Sequence, residues 1–246
     1  MDFGTAIVVT SGKGGTGKTS LTGGVASCLA RLGKRVLCID MDIGLRNLDL
    51  SLGMSDRALM DFSDVMEGRC PLERAAAVHP ELPNLFLLTA PMRLSPGMTP
   101  SAMTTLLDDA RIQFDYILLD APAGLGAGFQ LAGCAADRAI VVATADAFSL
   151  RDAQRTVTEL AHIPTAHLVV NRVRARLLKK LRTTIDDTMD TAGLPLLGLI
   201  PEDREVILHT GTGQPLLPDG RRKAADAYLN IAKRIIGETV PLMRLR

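Results

Sequence analysis

Ser11-Gly12-Lys13-Gly14-Gly15-Thr16-Gly17-Lys18-Thr19-Ser20 decides the reading of this chain. The stretch follows the apolar run Ala6 to Thr10 and precedes an apolar-periodic segment, giving strand, glycine-rich loop and helix in the order phosphate binding requires. Its glycines let successive backbone N–H groups point inward around a phosphate chain, and the helix N-terminus adds favourable partial charge. Lys18 and Thr19 reach the terminal phosphates and Mg2+, while Thr16 and Ser20 complete the cradle. The G-x-x-x-x-G-K-[ST] pattern is complete from Gly12 to Thr19, so the chain is expected to hold a nucleoside triphosphate. Lys13 is a second lysine at the start of the loop, where an ordinary phosphate loop tolerates almost any residue.

That lysine marks a subgroup. Lys13 to Thr19, taken with Ile39-Asp40-Met41-Asp42-Ile43-Gly44-Leu45-Arg46-Asn47-Leu48-Asp49-Leu50, resembles the MinD/ParA family of deviant Walker A ATPases. Further matches are Leu118 to Gly124, Val170-Asn171-Arg172, Ile200-Pro201-Glu202-Asp203 and Gly213-Gln214-Pro215-Leu216. They stand in the family's order, from the first strand to near the last helix. The resemblance implies a P-loop NTPase of the α/β class, with a mainly parallel central sheet and helices on both faces. It also implies an ATP- and Mg2+-dependent switch that dimerises around nucleotide.

The residues flanking the loop carry the expected chemistry. Asp40 and Asp42 close one strand and open the next loop, so both carboxylates stand near the phosphates. By resemblance Asp42 orients the attacking water and Asp40 supports the metal shell; a lone strand-terminal aspartate also serves as a turn cap. Asp120 ends the apolar strand Tyr116 to Leu119, the usual form of a Walker B segment, and is expected to hold a Mg2+-bound water beside the direct ligand Thr19. Asn171 and Arg172, with Pro201, Glu202 and Asp203 as the opposite wall, are the family's base pocket, and the side-chain amide favours adenine. Lys13 is the family's trans-acting lysine, which crosses a dimer interface to the partner's nucleotide. A cation supplied in trans raises NTPase rates by roughly 10³ to 10⁵. Asn47 and Asp49 resemble residues facing the partner subunit, and Asp152 matches a position on the surface an activating or adaptor protein contacts.

Composition sets the bounds. The chain has 246 residues, 47% hydrophobic and 22% charged, enough for one large core. One domain, residues 1–237, is expected, followed by a short tail, residues 238–246. A formal net charge of +1 gives no global pull toward nucleic acid or anionic lipid, so any such attraction is local. Cys28, Cys38, Cys70 and Cys134 lack C-x-x-C spacing, which argues against disulfides and zinc ribbons. No stretch reaches the ~20 apolar residues of a membrane span. A cytoplasmic protein is expected, with peripheral contact at the inner face of the cell membrane as an option. His79, His162, His167 and His209 show no metal-ligand pattern.

Short apolar runs alternate with helix-period segments, the pattern of parallel strands joined by crossover helices. Strands are expected at residues 6–10, 36–40, 85–88, 116–120, 139–143, 167–171 and 196–200. Helices are expected at 19–31, 101–110, 150–161, 177–189 and 224–236.

Two features separate this chain from the usual family pattern. MinD-type members end in a basic amphipathic helix, whereas Glu238 to Arg246 is short and interrupted by Pro241. Its basic residues add only ~1 kcal/mol each near an anionic surface. Gly126-Ala127-Gly128 also replaces acidic or polar family residues, and Thr144-Ala145-Asp146 stands where Asn-Pro-Glu is common in the family. A rival reading comes from Arg172, Arg174, Arg176, Lys179, Lys180 and Arg182, a basic patch suited to nonspecific DNA binding of the ParA kind. A solvated helix face explains the same charges, and a small-molecule kinase or amidoligase would need an acceptor motif that the sequence does not show.

Overall fold

A computed structural model describes residues 3–55, 57–212, 214–220 and 223–243. Gly213 of the expected Gly-Gln-Pro-Leu motif and the tail residues Arg244 to Arg246 lie outside the described residues. In chain order the elements are β1 (Thr5–Thr10), α1 (Lys18–Arg31), β2 (Val36–Asp40), α2 (Leu48–Leu52), α3 (Phe62–Met66), α4 (Leu72–Ala75), β3 (Ala77–Val78), β4 (Leu85–Leu88) and α5 (Pro100–Gln113). There follow β5 (Tyr116–Asp120), α6 (Ala127–Gly133), β6 (Arg138–Thr144), α7 (Ala147–Glu159), β7 (Thr165–Val173), α8 (Ala175–Leu181), α9 (Ile185–Ala192), β8 (Leu196–Pro201), α10 (Arg204–Thr212) and α11 (Lys223–Ile235).

The strands form one 8-stranded sheet in the order β3-β4-β2-β5-β1-β6-β7-β8, parallel except where β3 meets β4. Strand side chains alternate between faces, and the core divides accordingly. Ala6, Val8, Leu37, Ile39, Ile117 and Leu119 pack with Phe62, Met103, Leu107 and Leu150 on one face. Ile7, Val9, Val36, Cys38 and Leu118 pack with α1 and α11 on the other. Covering both faces is why these strands read as continuous apolar runs.

Register positions the site. Asp40 lies opposite Asp120 across β2 and β5, Val9 lies opposite Asp120 across β1 and β5, and Thr144 lies opposite Asn171 across β6 and β7. All these polar residues therefore stand at the carboxyl ends of the strands, where ligands bind open α/β sheets.

The expected strands are all present, several of them a residue or two longer. β3 is too short to announce itself in sequence. The helix expected at 177–189 is instead two helices. Arg182 adopts φ 52°, ending α8 in the left-handed region, and Thr184 starts α9 with a reciprocal capping box to Asp187. Apolar periodicity runs across both, and the cap at Thr184 is the signal that divides them.

Two packing details bear on the site. Gly24 stands in the middle of α1, where a Cβ would come within 2.3 Å of the Tyr228 ring on α11. At the outer strand β8, the Arg234 guanidinium donates to the carbonyls of Leu197, Val240 and Pro241 at 2.9 Å each, fastening the segment after α11 to the sheet.

Candidate functional site

The phosphate loop links β1 to α1, and its glycines take the backbone shapes the sequence requires. Gly15 has φ 77° and Gly17 φ 91°, values that L side chains rarely adopt. The Ser11 hydroxyl donates to the Lys13 carbonyl at 2.7 Å and tightens the entry to the loop. The start of the loop leans on α7, since a Cβ on Gly12 would lie 2.3 Å from the Asp152 carbonyl oxygen.

The two lysines of the loop have opposite settings. Lys18 is 8% exposed, and among the described residues no carboxylate lies within salt-bridge distance of its ammonium. Lys13 is half exposed and lies beside Asp146, the N-cap of α7. The Thr16 hydroxyl is buried and, among the described residues, has no hydrogen-bond partner. A buried cation, an unanswered hydroxyl and inward-facing glycines fit a phosphate chain, which supplies the missing negative charge and acceptors.

Asp120 is, with Asp40, one of two buried carboxylates here. Thr19 donates to its Oδ2 at 2.7 Å, and Thr22, one helical turn later, shares its hydroxyl proton between Oδ1 at 2.9 Å and the Lys18 carbonyl at 3.0 Å. Burial pushes its pKa up to about 7, opposed by these hydroxyls and by Lys18. Thr19 and Asp120 together fit the small protein share of a Mg2+ shell.

Asp40 lies across the β2–β5 pairing from Asp120, and backbone donors take up its carboxylate. Its Oδ1 accepts from the Asp42 N–H at 2.9 Å and its Oδ2 from the Leu48 N–H at 3.0 Å, so it braces the loop between β2 and α2. Burial raises its pKa, partly offset by those two N–H groups. Asp42 is partly exposed, and among the described residues its carboxylate has no hydrogen-bond or salt-bridge partner.

The expected base-pocket residues do meet. Asn171, Arg172, Pro201, Glu202 and Asp203 line one cleft of about 130 Å3 with Gly17 and Ser20. Their side chains have other duties as well. Asn171 donates from Nδ2 to the Thr16 carbonyl at 2.7 Å and accepts from the Arg172 N–H at 2.8 Å, tying β7 to the phosphate loop. Asp203 accepts from the Glu205 N–H and the Ala224 N–H, both at 3.1 Å, capping the starts of α10 and α11. Glu202 pairs with Arg174.

The expected partner-facing residues flank the loop from two sides. Asn47 is exposed at the N-cap position of α2 without a side-chain capping bond, and Asp49 lies in the first turn of that helix. Asp152 is on α7, 3.9 Å from Arg155. Sequence reasoning did not single out Thr22, whose place three positions after Thr19 puts it on the same helix face, and it treated Asp146 only as a departure from the family pattern.

A parallel sheet, a phosphate loop after its central strand and a hydroxyl-clamped aspartate on the adjacent strand define a P-loop nucleoside triphosphatase. Residues 7–216 match the model of the CobQ/CobB/MinD/ParA nucleotide binding domain. Over 249 aligned residues the chain is 40% identical to the septum site-determining protein MinD of Bacillus subtilis (strain 168), covering 99% of this chain and 93% of that one. Its structure is similar to that of MinD in the MinC:MinD cell division protein complex of Aquifex aeolicus, with a TM-score of 0.90, 36% identity and coverage of 98% and 99%. It also resembles MinD complexed with Mg-ADP from Pyrococcus horikoshii, with a TM-score of 0.82, 28% identity and coverage of 95% and 96%. The chain belongs to the MinD/ParA family and is a MinD-like P-loop ATPase that binds nucleotide and Mg2+. Among the described residues no helix is long and apolar enough to cross a membrane.

Proposed function

We propose that this protein is a Mg-ATP-dependent dimerising switch that places the division site, hydrolysing ATP to ADP and phosphate to reset itself. The observation that carries this reading is the contrast between the two lysines of one loop. Lys18 is enclosed beside the glycine-rich backbone, while Lys13 is half exposed and rests on Asp146, which leaves it available to a second copy in this reading. In this reading Lys18, the glycine-rich backbone, Thr16 and Ser20 bind the triphosphate, and Asn171, Arg172, Pro201, Glu202 and Asp203 form the base cleft. Thr19 and Asp120 hold Mg2+, which neutralises phosphate charge when bound. Asp42 holds the attacking water, and Asp40 fixes the loop that carries it rather than meeting the metal. Asn47, Asp49 and Asp152 face the second subunit or an activating protein, which fits a relative whose structure is that of a MinC:MinD complex.

The protein acts in the cytoplasm and meets the inner membrane face peripherally. A DNA-binding partition role through Arg172 to Arg182 has weaker support, since Arg174 is already paired with Glu202 and α8 is a single short helix. Sedimentation velocity with ATP and Mg2+ tests the switch. Wild type is expected to dimerise, Lys18→Ala to lose nucleotide affinity, and Lys13→Ala to bind nucleotide as a monomer. Asp42→Ala is expected to dimerise without turnover. A Lys13→Ala protein that still dimerised with ATP would overturn the reading.

A further inference from the structure

A cavity of about 750 Å3 opens beyond the ends of β7 and β8, between α8 and α11. Arg174, Arg176 and Lys180 enter it from one side and Lys223 from the other, against two carboxylates, Glu202 and Asp226. Among the described residues only Arg174 of these cations has an acid within pairing distance, and that acid is Glu202. Four cations against two carboxylates leave a surplus of positive charge in one recess, which an anion would relieve, and concave walls concentrate that field. The volume lies within the range of small-molecule sites. A recess suits a discrete phosphate group better than a duplex, whose backbone is met by protruding elements.

The cavity shares a wall with the base cleft. Pro201 and Glu202 line both. An anion that takes Arg174 from Glu202 therefore frees a carboxylate at the edge of the nucleotide site. We propose that this cavity is a second anion site, taking a phosphate-bearing group from a soluble ligand or a phospholipid headgroup, and that its occupancy reaches the nucleotide through the Arg174–Glu202 pair. Occupancy is independent of the base-cleft reading; only the coupling rests on it.

The test keeps the phosphate loop filled with Mg-ADP and titrates inorganic pyrophosphate by calorimetry. Wild type is expected to bind it saturably, each of Arg176→Ser, Lys180→Ser and Lys223→Ser to bind it about tenfold more weakly, the scale of one charged hydrogen bond, and the triple variant not at all. The triple variant should keep its Mg-ADP affinity, which shows that it is folded. If pyrophosphate is inert but phosphatidylglycerol vesicles sediment wild type and not the triple variant, the headgroup is the source. Equal pyrophosphate binding by wild type and triple variant, or no binding of either probe, overturns the site. So does duplex DNA binding lost in the triple variant while both other probes are inert. Coupling is read separately, as a shift in ADP affinity on adding pyrophosphate that disappears in Glu202→Gln. A site that fills without moving ADP affinity leaves the cavity standing and removes the link to the base cleft.

Discussion

The Lys13 ammonium lies 3.9 Å from a carboxylate oxygen of Asp146. Burial works against the charge on Asp146, yet donors from Thr144 and Ser149 and the nearby Lys13 outweigh it and hold the carboxyl below its ordinary range. The acid that starts α7 thus also gives the first lysine of the phosphate loop a resting place. Both side chains are about half exposed, so the pair is worth at most about 1 kcal/mol. Asp146→Asn keeps an oxygen for the Ser149 N–H but removes the charge. With one such pair released in each subunit, it is expected to tighten the proposed ATP-dependent dimer by up to about thirtyfold, read as a dimer dissociation constant by sedimentation. An unchanged constant would mean that the contact holds nothing in place.

Thr22 has the clearest positioning role outside the sequence motifs. Its hydroxyl is fully buried and fixes one oxygen of Asp120 while Thr19 takes the other. Thr22→Val should raise the Mg2+ concentration needed for tight nucleotide binding by about tenfold or more, since the loss of a hydrogen bond to a charged acceptor is worth about 1.5–3 kcal/mol. Thr22→Ser should restore it. Titration of Mg2+ against a fluorescent ADP analogue, with thermal melts as the folding control, separates positioning from general destabilisation.

His79 predicts an acid-side loss of stability. Its Nε2 contacts the Leu52 carbonyl at 2.9 Å, while its Nδ1 faces the N–H groups of Glu81 and Leu82 at 3.1 Å each. That set of partners requires the neutral ring with the proton on Nε2. Burial lowers the pKa from 6.5, with the Leu52 carbonyl and Glu81 pulling the other way. The unfolded chain then binds more protons than the folded one below about pH 6.5, so stability rises with pH across that window and is lost as pH falls. Urea unfolding at pH 7.5 and pH 5.5 should show a smaller difference for His79→Gln than for wild type. Equal differences would remove His79 from the acid response.

Gly24→Ala tests the contact between the nucleotide-bearing helix and α11. The added methyl meets the Tyr228 ring at 2.3 Å, too close for any rotamer adjustment without a shift of the ring. Overpacking of this kind costs about 1–3 kcal/mol, more than the roughly 1 kcal/mol that alanine gains over glycine in a helix. Chemical denaturation should show net destabilisation, and Gly24→Ala with Tyr228→Leu should recover part of it.

Much of the fold was legible because strands buried on both faces write themselves as apolar runs closed by Asp40, Asp120 and Asn171. The phosphate loop was legible because glycine spacing and the two lysines leave few other uses. The division between α8 and α9 was not, since periodicity reports a buried face and not the cap that interrupts it. Asp40 and Asn171 illustrate a deeper limit. A strand-end position predicts that a side chain stands near the ligand, but whether it points at the ligand or at a backbone N–H or C=O depends on loops such as Gly44 to Leu48 that carry no periodic signal. Thr22 escaped because its partner is almost a hundred residues away in sequence, brought close only by the pairing of β1 with β5.

Fastening of the segment after α11 by Arg234 has a consequence for assembly. β8 is the last strand of the sheet, and an unprotected last strand invites further chains to add on without limit. With the Leu197 carbonyl occupied and Val240 and Pro241 drawn alongside, growth from that rim requires the guanidinium to let go first. The switch proposed above needs the opposite kind of geometry, a closed pair built around the phosphate loops, which counts to two and stops.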